Sequence, residues 1–66
     1  MLEIIKSVRI CDKYNLSLIR FQSTKCYEIQ YSDDERILEY EDGYTNKKDG
    51  LIAFDEYLKS LIKKVQ

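Results

Sequence analysis

The residues able to do chemistry in this chain are mostly carboxylates. Residues 28–42 carry Glu28, Asp33, Asp34, Glu35, Glu39, Glu41 and Asp42 against Arg36 alone, a local balance of −6 in a chain of net charge −1. Paired acids do hydrolytic work only inside a cleft that holds one protonated and the other ionised. The chain has no His, so Ser/His and Cys/His nucleophile pairs cannot be built. Its two glycines, Gly43 and Gly50, cannot make a phosphate-cradling loop. A chain of 66 residues has little material to wall a cleft. The expectation is therefore no catalytic residues, no cofactor and no enzyme activity.

Metal chemistry has one candidate. In "KKDGLIAFDEYLKSLIKK", the segment Asp49-Gly50 with Glu56 six residues on resembles the second half of an EF-hand calcium loop. With Gly50 at the sixth position, Asp49 falls on the fifth, Ile52 on the eighth and Glu56 on the twelfth. The first half departs from the pattern: Thr45 and Lys47 occupy positions one and three, Ala53 occupies position nine, and Lys48 adds a second ammonium. The expected reading is a turn capped by Asp49 and followed by an amphipathic helix, with no metal. Cys11 and Cys26, without His, do not complete a structural zinc site. They read as free thiols that pack as small hydrophobes, which suits a reducing cytosol.

These groups must be positioned by simple elements. From Leu51, the residues Leu51, Phe54, Leu58, Leu61, Ile62 and Val65 form one stripe at helical spacing. "KCYEIQY" alternates with period two, placing Tyr27, Ile29 and Tyr31 opposite to Cys26, Glu28 and Gln30. "RILEYE" alternates likewise. A turn with Asp33 and Asp34 at its tip would set Ile29 against Leu38, Tyr27 against Tyr40 and Glu28 against Glu39. "NLSLIRFQ" is a further strand. The opening decapeptide fits either a helix or a strand, and the β-branched Ile4, Ile5, Val8 and Ile10 favour the strand. The predicted fold is α+β, a four-stranded antiparallel meander with one C-terminal helix on one face (ββββα), the alternative being αβββα. Residues 1–66 form a single small domain, near the lower size limit for independent folding.

With Val8, Ile10, Leu16, Leu18, Ile29 and Leu38 under the helix, parity sends Ile5, Ile19, Phe21 and Cys26 to the reverse face. One helix cannot cover both faces, so this apolar group calls for a partner or a second copy. A bulge in β-strand "LSLIRFQ" would instead turn Ile19 and Phe21 inward. Tyr27, Tyr31, Tyr40 and Tyr57 are expected at the core or its rim, Tyr14 and Tyr44 in loops. The acidic strands are either a hydrated edge that resists aggregation or a docking surface for a basic partner.

The function expected is a non-enzymatic, cytoplasmic protein-interaction module, a small regulator or inhibitor of the kind encoded by phages and plasmids. That last comparison is one of size and composition. Its expected contact residues are Glu28, Asp33, Asp34, Glu35, Glu39, Glu41, Ile5, Ile19 and Phe21, with a homodimer as one outcome. The alternative is a single-stranded nucleic-acid binder using Lys6, Arg9, Lys13, Arg20 and Lys25 with sheet aromatics as stacking platforms. No apolar run is long enough to span a bilayer, and "MLEIIKSVRI" lacks a secretion signal's features.

Overall fold

Period-two alternation becomes four strands and the helical stripe becomes one helix. A computed structural model, which describes residues 1–65, gives β1 (Leu2–Ile10), β2 (Tyr14–Phe21), β3 (Cys26–Ser32), β4 (Ile37–Tyr44) and α1 (Lys47–Val65). The side chain of Val65, expected on the helix stripe, lies outside the described residues. The strands form one antiparallel sheet in the order β1-β2-β3-β4. The helix packs across β2, β3 and β4. The fold is the α+β meander with a C-terminal helix that the alternation predicts, and the opening segment is a strand.

The turns show why the strands meet in this register. Between β1 and β2, Lys13 N donates to Ile10 O at 3.3 Å across Cys11 and Asp12, both at φ 56°. Two positive φ values in a row make the mirror-image turn whose twist matches that of paired strands. Between β2 and β3, Lys25 adopts φ 59° and donates its N–H to Phe21 O at 2.8 Å. Between β3 and β4, Asp33 Oδ1 accepts from the N–H groups of Glu35 and Arg36, each at 2.9 Å. Those two bonds hold its carboxyl below the usual range. The result is a four-residue turn, with Ser32 opposite Ile37.

Three register shifts then decide which side chains face the helix. In β1, Ile4 pairs with Ile19 and Lys6 with Leu18, so Ile5 is the extra residue of a bulge. In β4, Leu38 is extra between Ile37 and Glu39, and Glu28 faces Asp42 and Gly43 together, Gly43 at φ 96°. Each bulge inverts the alternation beyond it.

The core lies between the sheet and α1. Leu16, Leu18, Ile29 and Phe54 are fully enclosed, with Ile10 and Leu61 nearly so. Ile5, Val8, Tyr14, Tyr27, Tyr31, Tyr44, Leu51, Ala53, Tyr57 and Leu58 pack around them. Lys6 extends its ammonium over the Phe54 ring, 5.3 Å from the centroid. Gly50, which the sequence suggests as turn chemistry, lies inside the helix and close against the sheet. A Cβ there would meet Leu18 Cδ1 at 3.2 Å and Tyr27 Cβ at 3.5 Å. The helix cap is Asn46 rather than Asp49. Asn46 Oδ1 accepts from Asp49 N, and Asn46 Nδ2 donates to Asp49 Oδ2, both at 2.9 Å. Asp49 then favours the helix dipole from the first turn, and Lys63 and Lys64 from the last.

Candidate interaction surface

The odd register slip in β4 corrects the expected pairing of the second hairpin. Ile29 lies opposite Glu41, Gln30 opposite Tyr40 and Tyr31 opposite Glu39. A two-residue tip would have brought Leu38 and Tyr40 under the helix. The four-residue turn held by Asp33 moves the strand by two positions and keeps its faces, and the extra Leu38 then exchanges them. Tyr40 is now 64% exposed on the open side, and Leu38 lies outside the core cluster. Glu39 and Glu41 instead reach the helix side.

There the acids serve the fold. Tyr57 OH donates to Glu39 Oε1, and Tyr44 OH donates to Glu41 Oε1 at 2.7 Å. The bond to Glu41, with burial added, pushes the Tyr44 hydroxyl up to about 12. Burial and the bond to Glu39 push Tyr57 higher still. Tyr57 closes a row of tilted rings, 6.4 Å from Tyr31, which lies 5.4 Å from Tyr14. Burial first, then the neighbouring Tyr14 and Glu39, raises Tyr31 as well. Tyr14 and Tyr44, expected in loops, are therefore strand residues packed on the core rim.

The remaining expected contact residues separate in the same way. Asp33 is committed to its turn, and Asp34 pairs with Arg9 at 3.1 Å. Glu35 is exposed in the same turn. Glu28 lies on the open side and accepts from Gln30 Nε2 at 2.6 Å. Ile19 and Phe21 lie on the open side too, because β2 runs without a bulge against β3. Ile5 does not. Its bulge turns it toward the core, and Leu2 and Ile4 take the positions beside Phe21 and Ile19. No local sequence signal marks that bulge, and unbroken alternation puts Leu2 and Ile4 on the face of Val8 and Ile10 instead. Asp42 lies opposite Glu28, at the Gly43 bulge.

The open side therefore carries an apolar corner of two cross-strand pairs, Leu2 with Phe21 and Ile4 with Ile19. Cys26 lies beside Phe21. Leu2 is 50% and Ile4 63% exposed, whereas Ile19, flanked by Ile4 and Glu28, is 3% exposed. Next to this corner is a shallow groove of about 450 Å³ lined by Phe21, Ser23, Thr24, Cys26, Tyr27, Glu28, Asp42 and Gly43. Across the middle of the side, Ser7 and Ser17 share a hydrogen bond of 3.1 Å.

The basic residues of the nucleic-acid alternative are not brought together. Lys6 and Arg20 lie on the helix side, Arg9 on the open side, and Lys13 and Lys25 in turns at opposite ends of β2. Lys13 rests over the Tyr14 ring at 5.4 Å. The EF-hand segment is likewise redistributed, since Lys47 to Glu56 are all helical. Among the described residues, no group of three or more His, Cys, Asp or Glu is placed to hold a metal. Among them, too, no helix is long and apolar enough to cross a membrane.

The chain matches no family model, no curated protein and no solved structure.

Proposed function

We propose that the protein is a non-enzymatic interaction module, a small regulator or inhibitor that acts by occupying the surface of another macromolecule. The observation that carries this reading is the uncovered corner of Leu2, Ile4 and Phe21, with Ile19 beneath. Contiguous apolar side chains on an open sheet face are held in water at a cost and mark a contact surface more often than chance. Asp33, Asp34, Glu39 and Glu41 are each engaged within the fold. The contact surface therefore centres on the open side, with Glu28 and Asp42 as its charged border.

Position-dependent cross-linking in the cells that make the protein tests the reading. A photoreactive benzoyl-phenylalanine is placed at Ile4 or, as a comparison, at Ile52, which is 51% exposed on the helix. A discrete adduct from position 4 and none from position 52 is expected. No adduct from position 4, or equal adducts from both positions, would overturn the proposal.

A further inference from the structure

Resting on that reading, we infer that the open corner accepts an apolar segment carrying lysine or arginine, contributed by a different protein. The apolar part of the fit is set by Leu2, Ile4 and Phe21, which offer a continuous surface running into the groove beside Cys26. The charged part is set by Glu28 and Asp42, which lie opposite each other on β3 and β4 at the Gly43 bulge and both line the groove. The groove is lined by these two carboxylates and by no cation. A Lys or Arg of the incoming segment meets both acids while its apolar neighbours cover Phe21 and Ile4. Charge complementarity of this kind selects the partner and speeds encounter.

The same charges disfavour a second copy as the occupant. Two open sides brought together would set Glu28 and Asp42 against a surface whose one strand-borne cation is Arg9. That guanidinium is already engaged, donating to Asp12 O at 2.7 Å and to Asp34 Oδ1 at 3.1 Å. The other acidic recess of the molecule, between β4 and α1, fits a visitor less well. Both of its acids, Glu39 and Glu41, accept from tyrosine hydroxyls and Lys64 lines it, whereas in the groove Glu28 accepts from Gln30 alone and no cation is among the lining residues.

The test uses the whole chain with two synthetic amphipathic peptides, one of leucine and lysine and one of leucine and glutamate. Binding is read by calorimetry and by amide chemical-shift mapping. The leucine/lysine peptide is expected to bind and to shift residues 2, 4, 19, 21, 26, 28 and 42. Ile4→Ser should weaken it about tenfold, the loss expected for one aliphatic contact. Glu28→Gln with Asp42→Asn should weaken it about fivefold and flatten its salt dependence. Equal binding of the leucine/glutamate peptide, shifts confined to β4 and α1, or no binding of either peptide overturns the inference. So does a dimer that Ile4→Ser dissociates. The cross-link from position 4 reports separately on whether the corner is a contact surface at all, so the broader reading stands or falls on its own result.

Discussion

The two sides of the sheet are built from the same kinds of residue and behave oppositely. On the helix side, Leu16, Leu18 and Ile29 are fully enclosed by Phe54 and its neighbours. On the open side, Ile4 and Leu2 remain half exposed or more, while Ile19, between Ile4 and Glu28 on the inner strand, is 3% exposed with no helix above it. An inner-strand side chain is thus sheltered by its cross-strand neighbours, and an edge-strand side chain is not. Burial on the open side follows position in the sheet; burial on the helix side follows the second layer. The edge-strand part of the corner, Leu2 and Ile4, is available for contact because little of the fold depends on it.

The largest effect that sharpens this contrast is Phe54→Ala. Removing an enclosed aromatic costs about 3–5 kcal/mol, and a domain of this length commands roughly 3–10 kcal/mol in all. The variant should be largely unfolded at 37 °C by circular dichroism. Ile19→Ala comes next, at about 2–3 kcal/mol by chemical denaturation, below Phe54 because the space it leaves opens toward solvent. A cost for Ile19→Ala as small as that of an exposed residue would break the comparison, since the open side would then contribute nothing to stability.

A smaller effect arises where the helix side meets its acidic rim. The Tyr44 hydroxyl holds its proton up to about 12 in the folded chain because Glu41 accepts its bond. In the unfolded chain it releases that proton near 10.0. The folded state therefore binds the proton more tightly. Stability from this group is complete below pH 10 and is lost as pH rises toward 12, with Tyr57 acting in the same direction. The melting temperature should fall above pH 10, and Tyr44→Phe should fall less steeply. Parallel profiles for the two proteins would detach Glu41 from the fold and return it to the surface as a contact residue.

The architecture was legible in the sequence because alternation and helical spacing are properties of many residues at once. "CYEIQY" and the stripe from Leu51 to Leu61 each repeat the same signal several times. The site was less legible because single residues decide it. Ile5 in β1 and Leu38 in β4 each displace their strand by one position, and a displacement by one exchanges its faces. The four-residue turn depends on the Asp33 carboxylate finding two backbone N–H groups, a preference that "SDDER" shares with a tighter tip. Phe21, Ile19 and Glu28 lie where plain alternation puts them, and not where a bulge in β2 would, because β2 and β3 pair without a shift. Ile5, Tyr40 and the β4 acids depart from plain alternation because each lies at or beyond a bulge.

The smallest effect on stability is the most informative about function. Ile4 is an edge-strand residue with 63% of its surface in water, and serine at that position keeps the β1–β2 ladder because the backbone pairing with Ile19 is unchanged. Surface replacements of this kind stay within about 0.5 kcal/mol of the parent. Serine also removes an aliphatic surface that the fold does not use, so solubility at high concentration should rise. If Ile4 instead contributes to folding, its loss would move the denaturation midpoint as far as Ile19→Ala does. The corner would then be core that merely lacks a lid. An unchanged midpoint together with a lost cross-link from a probe at the neighbouring position 2 would mean that the exposed isoleucine serves an encounter and not the chain's own stability.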